Sequence, residues 1–506
     1  MIGRPRALRP GRPVLCAPFL GALVVLALLP SPARAQAALE GRVARITLDN
    51  GMRFLVLRRG TAPVFSANLR FKVGGVDDRA GATGLAHMFE HMAFKGTSTI
   101  GTRDAAREAE ILDAMDVVVR DLHRELDRGV AADAARLETL RGSLESLKKK
   151  HQDLLVKDEL VQILTRNGAE GMNASTGEDL TSYVVSLPAN RLELWCLLES
   201  ARLRDPVLRE FYAERDVVME ERRFRVDNQP QGKLYEALLN TAFAAHPYRV
   251  STSGWMSDLE RLTRPQAAAF HDTYYVPGNA VGALVGDVDP VAAERLVRRY
   301  FGGLKAGPAP PPVVTVEPPQ TGERRVNVVF DAEPQLMIAF HKPCWPDPDA
   351  PVFEVIDSLL TSGRTSRLFK ALVLDTQVAS DVFSFEAPGQ RYPNLFVIGG
   401  EPRAPHTASE IEAGLLKELR RLAEEPAGER EIQKIRNQVE AALLYPLRSN
   451  QGLASQLTFF EILEGDWRRL NDYYAAVRAV GAERVQEVAR RTFTPANRTI
   501  ASLVKP

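Results

Sequence analysis

The chain has 506 residues, with 65 Lys plus Arg against 64 Asp plus Glu, 45% hydrophobic and 25% charged. That length is more than one hydrophobic core sustains, so two or more domains are expected, of ordinary soluble globular composition. The near balance of charge leaves no net field to draw the chain to nucleic acid or to an anionic membrane.

Residues 1–35 read as an export signal. Arg4, Arg6, Arg9 and Arg12 form a basic start, Phe19–Leu29 is a short apolar run, and Ala33-Arg34-Ala35 offers a cleavage site before Gln36. The run is too short for a stable membrane span, so none is expected after cleavage, an uncleaved anchor being the alternative. Cys16 precedes the apolar run and does not look like a lipoprotein acceptor. Beyond residue 35 only Cys196 and Cys344 remain, too few for a disulfide framework.

Residues 43–72 alternate as strands around an Asn50-Gly51 turn, and Gly74, Gly75, Gly81 and Gly84 loosen the chain after them. A short helix then carries His87-Met-Phe-Glu90-His91. Residues four apart share a helix face, so His87 and His91 can aim both imidazoles at one point. Two imidazoles and one carboxylate make a zinc site with a fourth position left for water. Glu90, on the flank of that face, can act as general base without ligating. This is the inverse of the His-Glu-x-x-His order. A purely structural helix is the competing reading, but it would bury Glu90 and two histidines among Leu85, Met88, Phe89 and Met92 at a cost.

Residues 104–167 are dense in charge. Leu137, Leu140, Leu144 and Leu147 make one apolar stripe, and Met115, Leu122 and Leu126 make another, with Gly129 between them. The pattern predicts an inserted helical hairpin, the alternative being a solvated charged arm. It is expected to be dispensable for chemistry, with His123 and His151 on its surface. A long helical region is expected from about 192 to 225. Within it Glu214 and Glu221, seven apart, share a face, whereas Glu220 points about a quarter-turn away. Geometry therefore leaves Glu214 and Glu221 both open as the third ligand.

A Pro-rich linker over 304–320 follows a first domain spanning 40–303, and a second domain spans 321–506. Tyr275-Val-Pro-Gly-Asn279 before VGALV is echoed by Phe493-Thr-Pro-Ala-Asn497 before TIASLV. A duplication explains the echo. The fold class is therefore α+β, two duplicated domains, each a mostly antiparallel sheet with helices on one side. The second copy has no His-x-x-Glu-His, and its counterpart helix near 351–361 has no histidine. His341 and His406 read as structural or exposed.

The run from His87 to Thr97, HMFEHMAFKGT, resembles the signature of the pitrilysin/insulinase family of zinc peptidases, nearest its mitochondrial-processing-peptidase-like branch. The likeness covers nearly the whole chain after residue 35. It implies one zinc ion, with Glu221 as third ligand from the family pattern Glu-Arg-x-Val-Val-x-x-Glu, and Glu214 standing behind a ligand or the water. It also implies that residues 171–176 form an edge strand pairing with extended substrate, with Asn173, Ala174 and Tyr183 as substrate-binding positions. In complete members an Arg and, seven residues on, a Tyr stabilise the oxyanion. Here Val373 and Ser380 fall at those places, and no Arg or Tyr lies between Lys370 and Gln390. The resemblance thus implies a zinc-dependent endopeptidase for short or unfolded polypeptides, working in a chamber closed with a homologous subunit that supplies the Arg and Tyr. A homodimer is the alternative pairing, and a zinc-binding, non-catalytic scaffold subunit is the alternative function. The compartment implied is a bacterial periplasm.

Overall fold

Two sheets, one in each half of the chain, are built on the same plan. The computed structural model describes residues 39, 41–60 and 62–506, so the export signal expected over residues 1–35, with Cys16, lies outside the described residues. Residues 1–42 fall in a unit of their own, of which the described part is a turn closed by the Arg42 N–H on the Leu39 carbonyl at 3.0 Å. Residues 43–506 form the other unit.

The first sheet contains β1 (Val43–Thr47), β2 (Arg53–Arg58), β3 (Val64–Phe71), β4 (Glu170–Thr176), β5 (Thr181–Pro188) and β6 (Ala280–Gly286), in the order β1-β2-β6-β3-β5-β4. The second contains β7 (Arg324–Val329), β8 (Gln335–Lys342), β9 (Ala379–Ala387), β10 (Asn394–Pro402) and β11 (Arg498–Val504), in the order β7-β11-β8-β10-β9. With β1 set aside, the two orders correspond strand for strand. Each has its one parallel pairing at the same place, β2 with β6 and β7 with β11.

The echoed Pro-x-Asn segments do the same work in both copies. Asn279 Nδ2 donates to the carbonyls of Lys72 (3.1 Å) and Tyr274 (2.9 Å), and Asn497 Nδ2 donates to those of His341 (2.9 Å) and Thr492 (3.0 Å). In each case one amide ties the end of a helix to the neighbouring antiparallel strand, satisfying carbonyls that burial would otherwise strand.

Helices of its own half cover one face of each sheet, and a helix from the other half crosses the opposite face. Helix α5 (Pro230–Ala242) lays Leu234, Leu238 and Leu239 on Met337, Ala339 and Val397 of the second sheet. Helix α7 (Asn450–Glu464) crosses β3 and β6, where Arg70 donates to the Ser455 carbonyl and hydroxyl, both at 3.0 Å. The exchange explains why β2 reads Phe54-Leu-Val-Leu57 without alternation: both of its faces are covered and all four side chains are fully buried. Each such side chain is worth about 1.5–3 kcal/mol of burial, so the halves are held together through their cores. The Pro-rich segment has no regular element, yet Glu317 pins it to the first half by accepting from the N–H groups of Ala244, Ala245 and His246 at 2.7–2.9 Å.

Helices α2 (Ala105–Leu126) and α3 (Ala134–Gln152) form the hairpin. Asp104 and Asp133 cap them, Gly129 turns at φ 57°, and Met115, Val119, Leu122 and Leu144 fill the seam. The helical region expected over 192–225 holds two helices, Leu192–Arg204 and α4 (Phe211–Arg222), separated where Pro206 cannot donate into a continuing helix. His151 is buried against Glu108, not exposed, and His123 is half-buried. Cys196 and Cys344 are both free thiols. No helix among the described residues is long and apolar enough to cross a membrane.

Candidate metal centre

The two histidines stand on α1 (Leu85–Met92). The Asp78 carboxylate accepts from the Gly84 and Ala86 N–H groups at 2.8 and 3.0 Å, capping the helix start. Gly84 itself sits at φ 83°, and a Cβ there would meet Leu259 Cδ2 at 2.7 Å, so glycine is required. Leu85, Met88, Phe89 and Met92 bury one side of α1, with the Phe89 ring 4.2 Å from that of Tyr275. That anchoring leaves His87, Glu90 and His91 on the other side.

Helix α4 brings in the acids. Glu221 Oε2 lies 3.4 Å from His91 Nε2 and 3.7 Å from His87 Nε2, and the three donor atoms fall within 4.8 Å of one another. Ligand atoms about 2.0–2.2 Å from a tetrahedral zinc ion are roughly 3.3–3.6 Å apart, so this donor set has the spacing and chemistry to hold one. His91 Nδ1 is 3.3 Å from Glu214 Oε2. With its hydrogen on Nδ1, donated to Glu214, His91 presents the Nε2 lone pair toward Glu221. Glu214 therefore stands behind His91 while Glu221 faces both imidazoles, which divides the two carboxylates that share a face. Glu220 points outward to Arg223.

Burial, then the neighbouring His91, lowers the His87 pKa to about 4 against the pull of Glu221. His87 is thus neutral at pH 7, the form that ligates. For His91, burial pulls the pKa down but is outweighed by the Glu214 hydrogen bond and the Glu221, Glu214 and Glu90 charges, and the net shift is upward. Burial raises the Glu90 pKa, opposed by a hydrogen bond from Thr176 of β4. A carboxylate made more basic in this way is suited to accept a proton.

Strand β4 is the last in its sheet and pairs only with β5, so its outer edge is open next to α1. Asn173 is exposed and Ala174 half-buried on it, opposite Val184 and Tyr183. Tyr183 is placed differently from Asn173 and Ala174. It is on β5, one strand in, with its side chain buried, its hydroxyl 3.2 Å from that of Tyr275 and the Arg202 guanidinium 4.0 Å over its ring. It supports the wall behind the site. Val373 is buried in a helical turn, and Ser380 on β9 donates to the Glu401 carbonyl at 3.2 Å.

Sequence reasoning missed three residues around the centre. Lys95 Nζ reaches Glu210 at 3.1 Å and pairs with Glu214, fixing the acid that fixes His91. Arg225 Nη1 donates to Glu221 Oε1 at 2.7 Å, leaving Oε2 to the histidines; its spacing of four from Glu221 was a readable signal. Arg209 is buried at the head of α4. It donates to the carbonyls of Lys95, Thr97 (2.7 Å) and Ile100 (2.7 Å), and to Glu108 of the hairpin. Glu108 also accepts from His151 at 2.8 Å. The inserted hairpin is therefore wired to the segment joining α1 to the rest of the site.

Residues 53–115 match the family model for insulinase (peptidase family M16), and residues 261–439 match that for the peptidase M16 inactive domain. The chain is 28% identical over 436 residues to zinc protease PqqE of Helicobacter pylori, covering 85% of each chain. It is 21% identical over 462 residues to a probable mitochondrial-processing peptidase subunit beta of Arabidopsis thaliana, covering 88% of this chain and 75% of that one. The crystal structure of a protease from Helicobacter pylori superposes with a TM-score of 0.77 at 25% identity, over 92% of this chain and 99% of that one. Together with the paired sheets, these matches lead to one conclusion: the chain belongs to the insulinase family, peptidase family M16.

Proposed function

We propose that the chain is a zinc-dependent endopeptidase acting on short or unfolded polypeptides. The observation that carries this is the convergence of His87, His91 and Glu221 with Glu90 beside them. Zinc held by those three would supply Lewis acidity to the scissile carbonyl and to water. Glu90 takes the proton of the attacking water and returns it to the leaving amine. Glu214 and Lys95 hold His91 in the required tautomer. The open edge of β4 pairs with extended substrate through its backbone, with Asn173 and Ala174 alongside. Such pairing selects for unfolded chain over side-chain identity.

Between Lys370 and Gln390 the chain has no Arg or Tyr. We therefore assign oxyanion stabilisation to a homologous partner subunit that closes the chamber, and we place the mature pair in the periplasm on the strength of the export signal. The same absence favours the scaffold reading, in which this chain binds zinc but does not cut. Peptide hydrolysis by the chain alone, by the reconstituted pair and by a pair carrying Glu90→Gln separates the two. Loss of hydrolysis in the Glu90→Gln pair supports catalysis by this chain, and unchanged hydrolysis supports the scaffold.

A further inference from the structure

A cavity of about 210 Å³ opens in the second half, between β8, β9, helix α6 (Ala350–Thr361) and α7. Its walls are aromatic: the Trp345 and Tyr473 rings meet edge-on with centroids 5.3 Å apart, and Phe460 stands 6.1 Å from Tyr473. Three carboxylates face the same space, those of Glu354, Glu386 and Glu464, against one lysine, Lys342. Lys342 is already neutralised, with its Nζ 2.8 Å from Glu386 Oε2 and lying over the Phe353 ring. Glu354 accepts from the Tyr473 hydroxyl at 2.7 Å, and among the described residues neither it nor Glu464 is within ion-pair distance of a cation, although Glu464 feels the charges of Arg469 and Lys72.

The lining also holds an unsatisfied acceptor. Asn394 is buried, its Nδ2 is spent on the Gly389 carbonyl, and its Oδ1 has no hydrogen-bond partner. A buried acceptor left without a partner is unfavourable, and a ligand donor would satisfy it. Aromatic rings meeting edge to face, with more carboxylates than cations in the lining, attract an organic cation through the ring quadrupoles and the carboxylates together.

We propose that this cavity binds a small organic ammonium ion carrying one hydrogen-bond donor, with the cationic group between Trp345, Tyr473 and Glu354 and the donor on Asn394 Oδ1. The volume suits a free small molecule and not a segment of polypeptide.

The test uses the full mature chain and two probes of the same shape: choline, and its uncharged isostere 3,3-dimethyl-1-butanol. Binding is followed by calorimetry and by tryptophan fluorescence. Choline should bind saturably, and the neutral isostere at least tenfold more weakly. Glu354→Gln should weaken choline binding at least fivefold while leaving peptide hydrolysis unchanged. If Glu354→Gln does not fold, Glu464→Gln replaces it with a smaller loss expected. Equal binding of the two probes, no saturable binding of choline, or unchanged affinity in the folded variants would overturn the proposal.

Discussion

Arg209 grips the carboxylate of Glu108 with two parallel hydrogen bonds, Nε to Oε1 at 2.9 Å and Nη2 to Oε2 at 3.0 Å, both side chains being almost wholly buried. The pair joins an inserted hairpin to the head of α4, the helix that carries Glu214 and Glu221. Removing one partner strands the other's charge in the interior, which costs about 3–5 kcal/mol. Glu108→Ala should therefore lower the melting temperature markedly. Because Arg209 also holds the Lys95, Thr97 and Ile100 carbonyls, the same variant should lose zinc affinity in a chelator competition. Deleting residues 104–167 should do at least as much damage.

The same node predicts an acid limb. Burial alone would raise the Glu108 pKa, but hydrogen bonds from His151 and Arg209 overcome it and hold the group at about 2, against 4.5 for an ordinary glutamate. Its stabilising contribution is complete above pH 4.5 and is lost as the pH falls toward 2, a loss on the order of 3 kcal/mol. Urea unfolding of the wild type and of Glu108→Gln over pH 2–6 should show the wild-type slope flattened in the variant across that window.

At the metal centre the two acids should separate by size of effect. Glu221→Gln removes a proposed ligand and should abolish stoichiometric zinc binding. Glu214→Gln frees the far side of His91 and should weaken zinc about 10–100-fold while leaving it bound. Competition with a chelator reads both. Equal effects would mean that the carboxylates do not have the distinct roles their distances indicate.

The duplication makes a paired prediction. Asn279→Ala and Asn497→Ala each orphan two carbonyls at equivalent places, so each should destabilise by about 1–3 kcal/mol. Denaturant midpoints check this, and a large loss in one with none in the other would argue against equivalence.

The zinc helix was legible in sequence because α-helical periodicity alone puts His87 and His91 on one face. Glu214 and Glu221 could be narrowed to a pair by the same rule, but their division between His91 and both histidines depends on how α4 docks on α1, a contact distant in sequence. Periodicity also fails for buried charge. Glu108 and His151 sit on helices read as charged surface, and only their docking on Arg209 turns them inward. The burial of Tyr183 was not legible for a related reason: the register of β4 on β5 decides which side chains face the core, and the sequence of one strand does not state its neighbour. The break before α4 has its signal in Pro206.

The most direct measurement is zinc content together with peptide hydrolysis for the reconstituted pair, wild type against Glu90→Gln. About one zinc per copy of this chain is predicted in both, with hydrolysis in the variant reduced by about 10²–10⁴-fold, the range of a lost general base. A wild-type chain purified without zinc, or hydrolysis undiminished in Glu90→Gln, would contradict the account.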